Sequence, residues 1–194
     1  RIIPHPCCTA YRDGASTYKN AIQHIENRYL LRLDFVDFFK SITSNDIFLF
    51  LKENSSKLHP EWSEEDNELF LKIVCYKGRL TMGSVTAPIV SNLVCKELDY
   101  RISDLCAAKG ITYTRYSDDM YFSTNKENIL LNLTPEIINI IRNIHYPKHL
   151  IINSSKTKHS SRKRKMSVTG LVITNDKKIS LGRDKKREIR SLVH

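Results

Sequence analysis

The sequence predicts an α+β fold in which helices pack on one side of a small antiparallel sheet. Three observations lead to this prediction: segments with apolar residues at helical spacing, β-prone runs, and short polar turns between neighbouring runs. Of the 194 residues, 41% are hydrophobic, with nine Tyr and seven Phe, so a sizeable core can form. After a short N-terminal helix, the predicted order is β-α-α-β-β-α-β-β-α.

The N-terminal segment combines loop, helix and strand signals. Residues 1–14 read as loop, and Ser16 is a plausible N-cap for a short helix. Asn20 and His24 lie four residues apart, so they share one face of that helix. "YLLRLDFVDFF" (29–39) has alternating apolar character, which predicts a strand.

The middle of the chain is predicted to be mainly helical. Apolar residues near helical spacing favour a helix from Asn45, and Ser63 is the expected N-cap of the next one. The Gly-punctuated stretch "KGRLTMGSVTAP" (77–88) reads as a loop. The following stretch (89–110) predicts one amphipathic helix that ends at Gly110.

The rest of the chain alternates β-prone runs with helices. "ITYTRYSDDMYFST" (111–124) predicts a hairpin with a polar turn, and "TPEIINIIRNIHY" (134–146) a helix with Pro near its start. "HLIIN" (149–153) and "SVTGLVIT" (167–174) read as strands. "RDKKREIRSLVH" (183–194) begins another helix.

The positive charge of the chain is concentrated near its C-terminus. The net charge is +10, and residues 154–190 alone hold thirteen Lys/Arg against three Asp/Glu. The remaining residues are balanced. A solvated charged tail is one interpretation; a nucleic-acid-binding edge is the other, since localised charge of this size attracts phosphates.

Cysteine usage and hydropathy indicate a reducing compartment and no membrane span. The five cysteines match neither a zinc site nor a disulfide framework, so buried free thiols are expected. There is no window of 18 apolar residues and no signal-peptide pattern. We therefore expect a cytoplasmic protein that does not enter a membrane.

Three aspartates stand at predicted strand ends. Asp34 ends an apolar run, and Asp118 and Asp119 occupy the turn of the predicted hairpin. Each alone fits a bland interpretation, because edge and turn aspartates are common. Together they can converge, and clustered carboxylates repel one another unless a cation such as Mg²⁺ lies among them. A basic surface beside such a cluster suits phosphoryl transfer on nucleic acid.

Five motifs, in order, resemble those of reverse transcriptases. They are "LDFVDFF", "MGSVTAPIVSNLV", "RYSDDMYFS", "INSSKT" and "VTGLVI". "NAIQH" (20–24) and "VTG" (168–170) further resemble elements of the bacterial retron type, as do "AYRDGAS" and "CKELDYRI". Together the motifs cover nearly the whole chain.

The resemblance implies a right-hand polymerase fold, with palm and fingers built on an antiparallel sheet and packed helices, and with the thumb mostly absent. The N-terminal fingers segment is also shorter than in the family, so we expect a fragment. The implied division is partial fingers (1–30), palm (31–44), a fingers and palm helical segment (45–80), palm with the YSDD hairpin (81–165), and a primer-grip hairpin with the start of the thumb (166–194).

The resemblance also implies a catalytic centre with two Mg²⁺ ions, for which Mn²⁺ is a possible substitute. Asp34 and Asp118 would ligate both ions, with Asp119 completing the acidic cluster and the Phe35 carbonyl as a further ligand. Lys156 would protonate the leaving pyrophosphate, although a plain phosphate contact is an equally open role.

The implied nucleotide pocket contains Phe39, Met82, Gly83 and Arg1. Phe39 stands where the family places an aromatic gate against the ribose 2′-hydroxyl. Gly83 permits close backbone approach. Met82 replaces the usual Gln, a departure that bears on fidelity, and Arg1 would grip the triphosphate.

The implied nucleic-acid contacts lie on two retron elements and two basic runs. They are Asn20, His24, Arg162, Lys163, Arg164, Lys165, Val168, Thr169, Gly170, Lys185, Lys186 and Arg187.

The implied function is synthesis of DNA from dNTPs on a cognate noncoding RNA. Priming from a guanosine 2′-hydroxyl would give branched RNA–DNA, or msDNA, in bacterial antiphage defence with an effector protein. Other bacterial reverse transcriptases (group II intron, diversity-generating or abortive-infection types) and a non-catalytic RNA-binding scaffold are the alternatives. The oligomeric state is left open.

Overall fold

The computed structural model describes residues 2–193, apart from the side chains of Asp184 and Val193. Eight helices and nine strands are assigned in that part of the chain. The helices are α1 Thr17–Ile22, α2 Phe38–Ser41, α3 Ser44–Leu58, α4 Glu64–Val74, α5 Ala87–Val94, α6 Lys96–Lys109, α7 Leu133–Asn143 and α8 Arg183–Val193. The strands are β1 Tyr29–Asp34, β2 Cys75–Tyr76, β3 Arg79–Leu80, β4 Thr112–Tyr116, β5 Asp119–Thr124, β6 Lys158–Ser161, β7 Met166–Val168, β8 Leu171–Ile173 and β9 Ile179–Ser180.

The central sheet has four antiparallel strands in the order β4-β5-β1-β6. Its register places Asp34, the last residue of β1, directly opposite Asp119, the first residue of β5. Two smaller antiparallel sheets, β2-β3 and β7-β8-β9, flank it. The predicted α+β class is confirmed.

The two faces of the central sheet bury different cores. Because side chains alternate along a strand, Leu31, Leu33 and Phe122 point to one face and join the main core with α3, α5, α6 and α7. Leu30 and Tyr121 point to the other face, where α1 and the β7–β8 hairpin cover them. The prediction that helices lie on one side only is therefore wrong for α1.

A fully buried ion pair ties the N-terminal segment to the main core. The Arg115 guanidinium, 0% exposed, donates to both carboxylate oxygens of Asp99 on α6 at 2.8 and 2.7 Å. The Cys8 thiol donates to Asp99 Oδ2 at 3.0 Å. Burial opposes ionisation of Asp99, but Arg115 outweighs it and lowers the pKa of that carboxyl.

The described residues also show free thiols and no membrane-spanning helix. All five cysteines are free, and four are buried, as predicted from the sequence. Cys7, Cys8 and Asp99 place potential metal-ligating atoms within 4.8 Å of one another. The Arg115 cation already neutralises this group, so its role is structural. Between residues 2 and 193, no helix combines the length and apolarity needed to cross a bilayer.

Three element predictions need correction. The strand predicted over 29–39 ends at Asp34, because Asp37 turns the chain with a φ of 45° into α2. The helix predicted over 89–110 is split near Cys95 into α5 and α6. The segment 149–153 forms a single β-bridge, between Ile152 and Phe35, and the strand beside β1 is instead β6.

Candidate active site

The β4–β5 turn brings its two aspartates to the end of β1. Ser117 and Asp118 form this turn, and Ser117 has a φ of 61°. The Phe35 N–H donates to the Asp118 carbonyl at 3.3 Å, so Asp118 lies beside the residue that follows Asp34. This backbone bond thus brings Asp118 beside Asp34, which lies 84 positions earlier in the chain.

Asp34 is a buried carboxylate that already contacts a cation. It is 2% exposed, and Lys156 Nζ lies 3.1 Å from its Oδ1 and 3.3 Å from its Oδ2. The Asn153 N–H donates to the Asp34 carbonyl at 2.8 Å, which positions the short 3₁₀ turn that carries Lys156. A buried charge is costly without a partner, and Lys156 supplies one from a 56% exposed side chain.

Arg32 is a second cation in the site, and the sequence analysis did not identify it. It lies two residues before Asp34 on β1, so both side chains point to the same face. Arg32 Nη2 is 2.7 Å from Asp119 Oδ1 and 3.5 Å from Asp34 Oδ2. Arg32 Nε donates to the same Asp119 oxygen at 2.9 Å. An Arg within a strand gave no functional signal in the sequence.

Asp119 is held by hydrogen bonds on both of its carboxylate oxygens. Arg32 Nε donates to Oδ1, which Arg32 Nη2 also contacts as an ion pair, and the Tyr121 hydroxyl donates to Oδ2 at 3.1 Å. Burial raises the pKa of Asp119, and the Arg32 contacts oppose that shift. The pKa of Arg32 is itself raised: burial works against its charge, and Asp119 more than compensates.

The donor set fits a hard divalent cation at Asp34 and Asp118. A buried carboxylate whose nearer counterion is an exposed lysine is a site that such a cation can enter when the lysine moves away. Asp118 is half-buried in the neighbouring turn. Within residues 2–193, however, the three aspartates do not bring their oxygens within 4.8 Å of one another.

The predicted gate residue stands at the edge of the core. The Phe35 and Phe38 rings stack with centroids 5.5 Å apart, and Phe39 meets Phe38 edge-on at 5.3 Å. Phe38 is buried, whereas Phe39 is only partly buried against the main core. A ring in this position can both pack and face a ligand.

The other predicted nucleotide contacts lie on an open loop. The Leu80 N–H donates to the Ile42 carbonyl at 3.0 Å, which places the start of this loop beside α2. Met82 is 66% exposed, and Gly83 has a φ of +86° with no atom within 4 Å of an added Cβ. The loop backbone is therefore accessible. Arg1, the fourth predicted contact, lies outside the described residues.

Asn20 and His24 do not form a nucleic-acid surface. Both are 0% exposed. His24 Nδ1 lies 2.6 Å from Ser123 Oγ, and His24 Nε2 lies 2.8 Å from Thr114 Oγ1, which in turn donates to Asn20 Oδ1 at 2.6 Å. These residues instead fasten α1 to β4 and β5. The prediction that they contact nucleic acid is corrected, because helical spacing alone does not show whether a side chain is buried.

The predicted contacts at Val168–Gly170 form the turn between β7 and β8. Val168 is buried in the smaller core, so its side chain is not a contact surface. The Thr169 N–H donates to the Tyr121 hydroxyl at 3.0 Å. Gly170 is exposed, with a φ of 81°. The turn is thus linked to Asp119 through the Tyr121 hydroxyl.

The basic residues divide into structural and accessible groups. The Arg162 guanidinium donates to the backbone carbonyls of Ile25, Asn27 and Asn175, so it fastens the loop after β6. The predicted residues that remain exposed in this loop and on α8 are Lys163, Arg164, Lys165, Lys185, Lys186 and Arg187.

Comparison with known sequences gives a consistent match over most of the chain. A family described as "Reverse transcriptase (RNA-dependent DNA polymerase)" matches residues 3–173. The Retron Ec83 reverse transcriptase of Escherichia coli is 35% identical and aligns over 97% of this chain and 62% of the relative. The Retron Ec86 reverse transcriptase of the same species is 34% identical over 100% of this chain and 57% of the relative. The chain thus spans about three fifths of these relatives' length.

Solved structures share the fold. A truncated apo telomerase from Candida tropicalis aligns with a TM-score of 0.61 at 12% identity, over 86% of this chain and 39% of that one. A Candida albicans telomerase in complex with a telomeric RNA fragment aligns with a TM-score of 0.60 at 11% identity, over 90% and 36%. At this identity the likeness concerns the fold alone.

Proposed function

The chain belongs to the reverse transcriptase family, in its retron type, and on this basis we propose that it polymerises deoxynucleotides on an RNA template. The observation that supports the proposal most directly is the buried Asp34 beside the Asp118 turn. The division into fingers, palm and thumb regions remains part of this proposal.

Asp34 and Asp118 are the proposed ligands of divalent cations, with the Phe35 carbonyl as a further oxygen and Asp119 completing the acidic cluster. Reverse transcriptases generally use divalent metal ions, and we propose two Mg²⁺, replaceable by Mn²⁺. Two such ions would activate a primer hydroxyl and stabilise the departing pyrophosphate.

The protein's own side chains carry the remaining steps. Lys156 Nζ, which contacts Asp34, is the proposed proton donor to the pyrophosphate oxygen. Phe39 excludes a ribose 2′-hydroxyl by its bulk. The Met82–Gly83 backbone lines the nucleotide path, and Met82 lacks the amide of the family's usual Gln.

The template is proposed to be a cognate noncoding RNA. Its phosphates would contact the exposed basic residues of the loop after β6 and of α8, which position a strand without reading bases. Following the retron resemblance, we further propose priming from a guanosine 2′-hydroxyl, a branched msDNA product, and a defence role against phage with an effector protein in the bacterial cytoplasm.

The test is a DNA synthesis assay with the complete protein, the noncoding RNA encoded beside its gene, dNTPs and Mg²⁺. The product is treated with RNase and then with a 2′–5′ debranching enzyme. Branched complementary DNA is expected. Unbranched DNA would remove the 2′-priming proposal, and the absence of any DNA would remove the polymerase proposal.

Asp118→Asn tests the metal assignment in the same assay. Loss of a ligand should lower the rate at least about 100-fold, an order typical of removing one electrostatic partner of a transition state. Asp104→Asn, at an exposed carboxylate on α6, is the matched control. Unchanged synthesis by Asp118→Asn would refute the assignment.

A further inference from the structure

Arg32 and Tyr121 make the aspartates of the acidic cluster unequal, because they hold the carboxylate of Asp119 more firmly than that of Asp34. Both oxygens of Asp119 already accept hydrogen bonds, one from Arg32 Nε to Oδ1 and one from the Tyr121 hydroxyl to Oδ2, and Arg32 Nη2 makes an ion-pair contact with Oδ1. Asp34 instead contacts mainly Lys156, whose side chain is 56% exposed. Lys156 can therefore move away from Asp34 into solvent, whereas Arg32 is held at Asp119.

The fixed position of Arg32 has a structural cause. Its guanidinium uses both Nε and Nη2 on one oxygen of Asp119, a charge-assisted arrangement that a single point charge cannot reproduce. Tyr121 is fixed in turn, because its hydroxyl accepts from the Thr169 N–H at 3.0 Å. The Asp119 side chain is 18% exposed, so water competes little for these bonds.

We propose that Arg32 is a positioning residue of the acidic centre: it holds Asp119 in an internal ion pair, so that cation binding falls to Asp34 and Asp118. Tyr121 shares this role by occupying the second oxygen of Asp119. The inference rests on the proposed metal centre. It adds that the Asp119 carboxylate stays paired with Arg32 and does not ligate the cations.

The charge of Arg32 determines in which direction cation affinity should change when this residue is replaced. Arg32 Nη2 lies 3.5 Å from Asp34 Oδ2, close enough to repel an incoming cation. Replacing Arg32 with Met removes that repulsion and also releases the Asp119 carboxylate. Cation affinity should then rise, although catalysis falls because the cation no longer sits in one defined position.

The experiment measures Mn²⁺ binding to the complete protein, without nucleic acid, by electron paramagnetic resonance of free Mn²⁺. Asp34→Asn and Asp118→Asn should each raise the Kd at least about tenfold. Asp119→Asn should stay within about threefold of the unchanged protein. Arg32→Met should bind Mn²⁺ at least about threefold more tightly, and Arg32→Met/Asp119→Asn should lose part of that gain.

Controls separate positioning from folding and from net charge. Arg28→Met removes the same charge just before β1, four residues from Arg32 and outside the acidic cluster, and should leave the Kd unchanged. Arg32→Lys keeps the charge and should not tighten binding, which provides a folded variant if Arg32→Met unfolds. A purely structural role for Arg32 would lower thermal stability without tightening Mn²⁺ binding.

Two outcomes would overturn the inference: weaker Mn²⁺ binding by Arg32→Met, or a loss in Asp119→Asn as large as that in Asp118→Asn. A different result would count against the proposed metal centre itself. If Asp34→Asn and Asp118→Asn bind Mn²⁺ as well as the unchanged protein does, the assignment of those ligands fails, whatever Arg32 does.

Discussion

Neighbouring residues of the same type have different roles in this protein. Phe38 is buried and stacks on Phe35, whereas Phe39 meets Phe38 edge-on and keeps part of its ring accessible. Asp118 and Asp119 differ in the same way, since Arg32 and Tyr121 hold the carboxylate of Asp119. The sequence motif predicted all three functional candidates, Phe39, Asp118 and Asp119. It could not predict the difference between the two aspartates, because Arg32 lies on another strand, 87 residues before Asp119.

The gate role of Phe39 leads to a prediction about sugar selectivity. Phe39→Ala should raise ribonucleotide incorporation relative to deoxynucleotide incorporation by about 10- to 100-fold, because a cavity replaces the ring that clashes with the 2′-hydroxyl. The kcat/KM ratio for matched rNTP and dNTP measures this. Phe39→Tyr keeps the bulk and is the control. An unchanged ratio in Phe39→Ala would remove the gate role.

At the scale of elements, a polar cluster adds to the apolar contacts of Ala21 in attaching α1 to the sheet. His24 contacts Ser123 and Thr114, Thr114 donates to Asn20, and all four residues are wholly buried. The spacing of Asn20 and His24 in the sequence predicted a shared helix face; both do lie in one cluster, but α1 ends at Ile22 and His24 stands in the turn that follows. Their burial was not predictable, because it depends on polar side chains that β4 and β5 present about 90 to 99 residues later.

The buried imidazole predicts a loss of stability at mildly acidic pH. Burial lowers the pKa of His24 to about 3, from an ordinary value of 6.5. As pH falls below 6.5, the unfolded chain gains a proton that the folded chain cannot take up. This stabilisation is therefore present above pH 6.5 and is lost toward pH 3, by about 2 kcal/mol at pH 5.

Urea unfolding at pH 7 and pH 5 measures this effect in the complete protein. His24→Gln, which keeps hydrogen-bonding groups but does not titrate, should reduce the stability difference between the two pH values. His159→Gln, at an exposed residue of β6, should leave it unchanged. Equal pH dependence in all three proteins would contradict the assignment to His24.

Over the whole molecule, the positive charge of residues 154–190 reaches the acidic centre at Lys156, which contacts Asp34. Sequence reasoning located both, because a charge count and a motif need no three-dimensional information. It missed β6, since "KHSS" carries no apolar or β-branched residue and becomes a strand only by pairing with β1. It also treated Arg162 as a nucleic-acid contact, whereas that guanidinium binds three backbone carbonyls.

The accessible basic residues predict salt-dependent RNA binding. Lys163→Ala/Arg164→Ala should lower the slope of log affinity against log salt by about 1.4 to 1.8, because each lost phosphate contact accounts for about 0.7 to 0.9. Fluorescence anisotropy with labelled RNA at several salt concentrations measures the slope. Lys52→Ala/Lys57→Ala, on α3, is the control. Equal slopes in both variants would show that the loop after β6 makes no phosphate contact.

The strand order β4-β5-β1-β6 also governs how the chain can fold during synthesis. β1, with Leu30, Leu31 and Leu33, is made first but lies in the interior of the sheet. Its neighbour β5 begins 85 residues after Asp34. At roughly 5 to 20 residues per second, a ribosome needs about 4 to 17 s to make that length. During this interval the apolar strand β1 is unpaired in the nascent chain. We therefore expect folding in the cell to depend on a chaperone that binds near residues 30–33.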